Sequence, residues 1–557
     1  MTAKTSKHPI GLYFLFFAEM WERFGYYLMI AIFTLYLETE TDKGGWGMNM
    51  KSSSSIYGTF IALVFLTPFI GGLLADRKWG YRWSIILGGI LMGIGYCLMA
   101  VHNLTVFYVA CGLVILGNGF FKPNISTLLG NLYDDEKYRA NKDSGYNIFY
   151  MGINVGAFIC TFIAAAMRNQ FGWGGAFFAA GIGMFLGVLI FIAGNKHYKH
   201  ADFIKPLKEG DQSLNRILGT TLLPAIIAAV IGWIIPGNIF GDDATDAFIF
   251  ACMPVIWFYY GLYKRSDAYE RKPIRTMYVI FLVVIIFWAV FKQNGTALNK
   301  WMKLYTDREM PAKVLPAAQK LSFVETVKVE DKTRPVIDEQ FRLITRETKN
   351  PDTGKIKIDT LKGKDIQPYF KNVAANKTPK NGDTVYLIPT ELSQSINPGW
   401  VIILTPIIVG FFAFLRRRGK EPTTPSKIAW GLFISSLSPL VMIGAVMVCH
   451  NGQEKASILW LIGTYGVVTV GELFLSPMGL SLVSKLSPGR LTALMMGGWF
   501  LSTSIGNKLS GILATFWDNY DNKGLYFAVN VVLLFAAAIL MFFLLKKLNQ
   551  VFREYVK

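Results

Sequence analysis

"GNGFFKP" (Gly117–Pro123) returns later in the chain as "GELFLSP" (Gly471–Pro477), and "LTPFIGG" (Leu66–Gly72) returns as "LTPIIVG" (Leu404–Gly410). The two matches keep the same order and nearly the same offset, so the chain is read as two copies of one arrangement. All four segments lie in apolar runs near or above the roughly 18 to 20 residues that a helix needs to cross a bilayer. Fourteen such runs are read, at 10–38, 53–75, 83–101, 105–132, 145–167, 174–194, 217–236, 246–263, 275–301, 397–415, 427–449, 456–484, 491–517 and 524–546. Each match is eight spans apart, which becomes six if the pair at 217–263 is an insertion. The pattern predicts an all-α polytopic membrane protein of two six-helix bundles with a central helix pair.

Parallel repeats of this kind are the arrangement of major facilitator transporters. The expected divisions are a first bundle at 1–200, the central pair at 201–270, the first helix of the second bundle at 271–301 and the rest of that bundle at 396–557. Between them, residues 302–395 are polar, with short alternating stretches such as "IKIDTL" and "DTVYLIP", and are read as a small strand-rich extracytoplasmic insert. A disordered linker is the alternative. The stretch "GGLLADRKWGYR" (Gly71–Arg82) resembles the cytoplasmic motif between the second and third helices of these transporters, with Asp76, Arg77, Gly80 and Arg82 in the matching places. An acid at that junction is a candidate latch between the halves.

Hydrophobic residues make up 52% of the 557 positions and charged ones only 17%, concentrated between the apolar runs. The net charge of +19 sits in "DRKWGYR", "NKHYK", "YKRSDAYERKPIR", "RRRGKEPTTPSK" and "KKLNQVFREYVK", all on one side if the N-terminus is cytoplasmic. This positive-inside pattern places both termini in the cytoplasm of a cell whose inner membrane the chain spans, and removes the need for a nucleic-acid partner. The first apolar run is too long and too charged for a cleavable signal. Cys97, Cys111, Cys160, Cys252 and Cys449 lie in or beside apolar runs and imply no disulfide. His8, His102, His197, His200 and His450 lack metal-ligand spacing, and no nucleotide or hydrolase motif appears in a plausible context. No cofactor, metal or enzymatic activity is expected.

Inside the first run, "EMWERFGYY" (Glu19–Tyr27) carries two acids and a base. At helical spacing Glu19, Glu22, Arg23, Tyr26 and Tyr27 share one face. A charge at the bilayer centre costs about 2.5 to 3.5 kcal/mol on the insertion scale, so such residues face a wet cavity and one another. Lys122 and Glu472 occupy repeat-equivalent helices in opposite halves, each near a proline that frees backbone groups. A cavity with Arg23 and Lys122 on one wall and Glu472 on the other suits a zwitterion, with Tyr27, Trp288 and Trp499 lining the space between.

"ExxERFxYY" at Glu19–Tyr27, "GNGFFKPNIS", "FYMGINVGAF" (Phe149–Phe158) and "GELFLSPMGLSLVSKLSP" (Gly471–Pro488) resemble the proton-dependent oligopeptide transporter family, over everything but the insert. The extra central pair is similar to its bacterial members. The resemblance implies a symporter that imports di- and tripeptides with protons as the coupling ion. It also implies that Arg23, Tyr27, Lys122 and Asn154 hold the peptide carboxylate and Glu472 its amino terminus. Asn397, Ser476, Trp288 and Trp499 match pocket positions, and Glu19 and Glu22, acting with Arg23 and Lys122, match the acids of proton coupling. Gly58 after Tyr57, Phe65, and Phe291 with Lys292 in "FWAVFKQ" depart from the family pattern, and Ile30 stands where a base could have paired an acid at position 292. Lys292 and Lys508 are therefore read either as lysines that snorkel to external headgroups or, with Asp76 and Arg77 at the opposite end, as gate candidates. The alternatives in function are a non-transporting peptide receptor, with the insert as a partner-binding module, and a relative that moves nitrate or another anion. Glu19 and Glu22 together argue against the anion carrier.

Overall fold

The computed structural model describes the chain except residues 1–7, 40, 42–43, 49, 204–212, 238, 241–242, 296, 321–323, 329–332, 336–344, 350–355, 361, 365–368, 371–378, 381 and 557. The apolar runs become helices: α1 (Gly11–Glu38), α2 (Met50–Leu66) continued by α3 (Pro68–Leu74), α4 (Tyr81–Met99), α5 (Leu104–Leu132), a short α6 (Glu136–Arg139) and α7 (Lys142–Ala193). The central pair is α8 (Leu214–Ile217) running into α9 (Leu223–Ile234), with α10 (Asp243–Arg265). After it come α11 (Ala268–Phe291), two short helices α12 (Ala297–Leu304) and α13 (Leu315–Lys320), then α14 (Ile396–Arg417), α15 (Thr424–Val448), α16 (Ile458–Leu486), α17 (Thr492–Thr515) and α18 (Lys523–Tyr555).

Among the described residues, 12 spans are long and apolar enough to cross a membrane. Helices α1 and α17 bring these to the expected fourteen, and both carry polar interruptions: Glu19, Glu22 and Arg23 in α1, and Ser502, Thr503, Ser504, Asn507 and Lys508 in α17. The chain is thus a multi-pass membrane protein. The spans expected at 145–167 and 174–194 are two helices within α7, Lys142–Arg168 and Gln170–Ala193, joined at a kink at Gly172, whose φ of 71° favours glycine. One expected boundary differs. The span expected at 275–301 stops at Phe291, and Lys292–Gly295 tighten into a 3-10 turn. Gln293 sets that stop by accepting from the Tyr526 hydroxyl at 2.6 Å and exchanging hydrogen bonds with Asn530 on α18.

In the first bundle α1 and α4 pack on α7, and α4 packs on α5; in the second, α15 packs on α16 and α18, and α11 on α17 and α18. The halves meet where α17 crosses α2, α3 and α5 and where α7 crosses α14 and α16. Helix α3 lies very close to α5: a β-carbon on Gly71 would stand 1.9 Å from the Gly119 carbonyl, the carbonyl that Pro123 leaves without its helical donor. Asn124 closes this contact by donating to the carbonyls of Gly71 at 3.2 Å and Phe120 at 2.7 Å.

At the end that carries the chain termini, polar bonds join the halves. Asp76 accepts from the Leu494 N–H at 2.9 Å, in the first turn of α17, where the helix dipole favours an anion. Asp143, at the start of α7, receives Lys427 at 2.7 Å and Lys485 at 2.6 Å, together with the Ser481 and Thr424 hydroxyls. Lys427 also reaches Glu421 at 2.7 Å, and Glu421 is forked by Arg416. Burial alone would raise the Glu421 carboxyl, but hydrogen bonds and charge from Arg416 and Lys427 outweigh it and hold the group below the usual carboxylate range.

At the other end the insert is β-rich, as expected, with a nested topology. Strands β1 (Glu325–Lys328), β2 (Thr333–Pro335) and β3 (Thr345–Lys349) pair antiparallel with β6 (Thr384–Leu387), β5 (Lys362–Lys364) and β4 (Ile356–Thr360) respectively. Its base is tied down. Arg308 holds Glu325 and the Ile388 carbonyl, each at 2.7 Å, Tyr369 donates to Asp307 at 3.0 Å, and the Asp307 N–H bonds the Ala456 carbonyl between α15 and α16.

Two outcomes are expected. Asp143→Asn leaves Lys485 without its anion and Lys427 with Glu421 alone, and should lower the thermal unfolding midpoint in detergent, since stripping one partner from a buried pair costs about 3 to 5 kcal/mol. Glu554→Gln, which loosens the exposed 3.2 Å pair with Lys272, is the control and should leave the midpoint near wild type. Excising residues 336–361 and closing the Pro335–Lys362 pair with an Asn-Gly turn should leave that midpoint unchanged, because the ribbon's anchored base is untouched.

Candidate functional site

The charged stripe of α1 lies buried: Glu19, Glu22 and Arg23 are each at most 2% exposed. Arg23 forks onto Glu22 through Nε and Nη2, lies 3.7 Å from Glu19, and donates to Asn118 Oδ1 at 3.0 Å. Asn118 is itself fixed by donating to the Val64 carbonyl at 3.0 Å. The guanidinium also covers the Tyr26 ring at 4.7 Å. Arg23 is therefore held by two acids and an amide, and among the described residues one oxygen of Glu19 has no hydrogen-bond partner.

Lys122 comes from α5, one turn beyond Asn118 on the same face. Its ammonium lies between two rings, Phe65 of α2 at 4.8 Å and Phe500 of α17 at 5.0 Å, so it stands at the seam between the halves. Its charge interacts with those of Arg23, Glu22, Glu19 and Lys292.

Across the seam, Glu472 of α16 is 2% exposed and accepts from the Tyr150 hydroxyl of α7 and from Asn397 Nδ2 of α14 at 2.8 Å. Asn397 donates also to Thr469 at 2.8 Å, which orients its amide. One carboxylate thus ties together three helices from both halves. Tyr27 is within charge reach of Arg23 and Glu472 alike, and so joins the two walls. Asn154 lies one turn from Tyr150 and donates to its carbonyl at 3.0 Å. Ser476 stands beside the Tyr150 hydroxyl, and among the described residues the buried Trp288 Nε1 has no hydrogen-bond partner.

The structure gathers Glu19, Glu22, Arg23, Tyr27, Lys122, Asn154, Trp288, Asn397, Glu472 and Ser476 around this seam. Lys292 joins them. It caps α11, lies over Trp288 at 5.5 Å and Phe291 at 5.8 Å, and feels the charges of Glu472 and Arg23, so it faces the centre and does not snorkel to headgroups. Lys508 does not join them: it donates to Thr245 at 3.2 Å and lies over Phe248 at 5.9 Å, against the central pair. Trp499 differs from expectation as well. It is 2% exposed and wedged against Gly479 of α16 and Phe281 of α11, two turns of α16 from Glu472. Asp76 and Arg77 belong to the terminus-bearing end, with Arg77 beside Arg265 and Arg490.

Sequence reading missed Tyr150, Asn118 and Asp143. Tyr150 and Asn118 each lie four residues before a residue singled out, Asn154 and Lys122, and helical spacing put them on the same face. Asp143 gave no such signal, since an acid in a first helical turn reads as a cap.

A sequence profile described as the POT family matches residues 82–323 and 378–535. Over 513 residues the chain is 29% identical to a di-/tripeptide transporter of Lactococcus lactis, covering 90% of this chain and 88% of that one. It is 27% identical over 519 residues to dipeptide and tripeptide permease A of Escherichia coli, with 93% and 86% covered. It is 29% identical over 540 residues to YclF, an uncharacterized transporter of Bacillus subtilis, with 96% and 93% covered. Among solved structures, the crystal structure of peptide transporter POT in complex with sulfate aligns with a TM-score of 0.64 at 26% identity, covering 98% of this chain and 96% of that one. A POT family transporter in complex with 5-aminolevulinic acid has the same fold, with a TM-score of 0.66 at 23% identity and 97% of each chain covered. With the profile matching well over half its length and the signature charges meeting at the seam of a two-bundle membrane fold, the chain belongs to the POT family.

Proposed function

We propose that this chain is a proton-coupled symporter that imports di- and tripeptides by alternating access across an inner membrane, with both termini in the cytoplasm. The observation that carries the reading is a basic wall, Arg23 and Lys122, set across one seam from an acidic wall, Glu472. A peptide's carboxylate and ammonium need opposite charges at two ends of a desolvated site, and its amide and side chains lie between. The similarity to a di-/tripeptide transporter of Lactococcus lactis and a dipeptide and tripeptide permease of Escherichia coli supports the same substrate class.

Coupling follows from competition for Arg23. A peptide carboxylate that takes the guanidinium removes the counter-charge from Glu22 and Glu19, and a carboxylate without a counter-charge in a low-dielectric site takes a proton. Substrate and proton then favour each other's binding, as linkage requires. Occupation of Glu472 by the peptide ammonium competes with Tyr150 and Asn397, which loosens a bond between the halves. The Asp76 and Asp143 latches hold the terminus-bearing end closed until that rearrangement.

Uptake of a labelled dipeptide into proteoliposomes, with and without an inward proton gradient, tests the reading. A receptor that does not transport would bind peptide and show no accumulation. Glu472→Gln should weaken peptide binding by about 3 to 5 kcal/mol, a factor above about a hundred, and N-acetylated peptides should lose a comparable amount. Wild-type transport of dialanine by Glu472→Gln would remove this carboxylate from the site. Glu22→Gln should keep counterflow exchange but lose accumulation driven by a pH gradient; undiminished accumulation would take Glu22 out of the coupling path.

A further inference from the structure

Behind the charged stripe of α1 stands a phenol that peptide transport, as derived above, leaves unused. Tyr96 of α4 is fully buried, and among the described residues its hydroxyl has no hydrogen-bond partner. Its ring packs on Gly25 of α1, where a β-carbon would stand 3.1 Å from the ring and 3.0 Å from the Ala180 carbonyl of α7. Gly25 lies three residues beyond Glu22 and so on the same face of the helix, and the lack of a side chain there makes room for the ring. From this place the hydroxyl is within charge reach of Glu22, Arg23 and Tyr26. Helices α1, α4 and α7 thus close on a polar group that bonds nothing.

A phenol can donate and accept, and leaving it unbonded in the interior costs free energy. The cause is next to it: Arg23 forks both oxygens of Glu22 and so occupies the carboxylate that the phenol could meet. When a peptide carboxylate draws the guanidinium away, Glu22 takes a proton, and its new O–H needs an acceptor in an apolar pocket. The other titratable groups around Glu22 are Glu19, Tyr26 and Tyr27 on α1 and Lys122 on α5. An ammonium cannot accept, Glu19 loses the same counter-charge, Tyr26 lies with its ring under the guanidinium, and Tyr27 is shared with Glu472. Tyr96 is the buried hydroxyl with no earlier bond to give up.

We infer that Tyr96 is a positioning residue of proton coupling: once the peptide holds Arg23, the Glu22 carboxyl turns its O–H onto the Tyr96 oxygen, and this bond keeps the proton on Glu22 while the site is loaded. This rests on the peptide–proton symport reading above. With Arg23 on Glu22 the bond cannot form; with peptide and proton both bound it can. It therefore stabilises only the doubly loaded state, which is what linkage asks of a coupling group.

Tyr96→Phe removes the hydroxyl and keeps the ring on Gly25. Dialanine uptake into proteoliposomes is measured over a range of external pH, and each protein is scored by the pH that gives half its own maximum. The Tyr96→Phe midpoint should lie about 0.5 to 1 unit more acidic than wild type, a proton concentration about three- to ten-fold higher, because the protonated state alone loses a neutral hydrogen bond. Tyr198→Phe removes another buried phenol without a partner among the described residues, at the terminus-bearing end, and should keep the wild-type midpoint. Should Tyr96→Phe not transport, calorimetry of dialanine binding in buffers of different ionisation heat, at the pH of the wild-type midpoint, counts the protons taken up per peptide bound; the variant should take up fewer. A wild-type or more alkaline midpoint in Tyr96→Phe, an equal shift in Tyr198→Phe, or undiminished proton uptake on binding would overturn the role of Tyr96 and leave the symport reading standing. Wild-type uptake that does not depend on pH, or no uptake at all, would overturn both.

Discussion

Everything at the centre of this protein depends on how a bilayer-spanning helix keeps an arginine in its apolar interior. Arg23 is 2% exposed, and a guanidinium without counter-charge at that depth would not be tolerated. Glu22 and Glu19 on the same helix supply the charge, and Asn118 on a neighbouring helix fixes the geometry. Because the neutralising groups are intramolecular, they can be exchanged for those of a ligand. A buried ion pair stabilises a fold weakly compared with an apolar replacement. Its value here lies in being breakable by one kind of competitor.

The same logic extends to the contacts between the halves. Within each bundle, packing is mainly apolar, with a few buried polar bonds such as Arg23 with Asn118 and Gln293 with Asn530. Between bundles, the junctions include directed polar bonds: Asp76 with the start of α17, Asp143 with Lys427 and Lys485, Glu472 with Tyr150. Apolar seams resist separation in proportion to area, whereas a few directed bonds can be broken by titration or substitution of one partner. Helix α17, interrupted by Ser502, Thr503, Ser504, Asn507 and Lys508, crosses α2, α3 and α5 on this seam, and the polar stripe of α1 reaches it through Tyr27.

Sequence and structure agree where physical signals are local. A charge in an apolar run is conspicuous, so Arg23, Lys122 and Glu472 were legible one by one, and the internal repeat put them in opposite halves. Tyr150 and Asn118 were not, because a hydroxyl or an amide in a helix has many unremarkable uses and gains meaning only from its partner. Lys292 and Lys508 looked alike in sequence, each an isolated lysine in an apolar run. The helix end before Gln293 lays the first over Trp288 and Phe291, and the central pair took up the second through Thr245. Trp499 read as a cavity-lining ring, yet a groove over Gly479 absorbs it into the second bundle.

By itself, then, the sequence determined the solvent, the number of spans, the two-fold internal arrangement and the identity of the charged groups, because hydropathy and helical periodicity act over one or two turns. Tertiary structure alone decided which charges meet, which are already neutralised and which are left on aromatic rings. Those outcomes depend on contacts between residues up to several hundred positions apart, such as Tyr150 with Glu472 and Asp143 with Lys485. No periodicity along the chain encodes such distances, since they are set by how two bundles of nearly uniform apolar helices find the one packing that leaves the fewest buried charges unmatched.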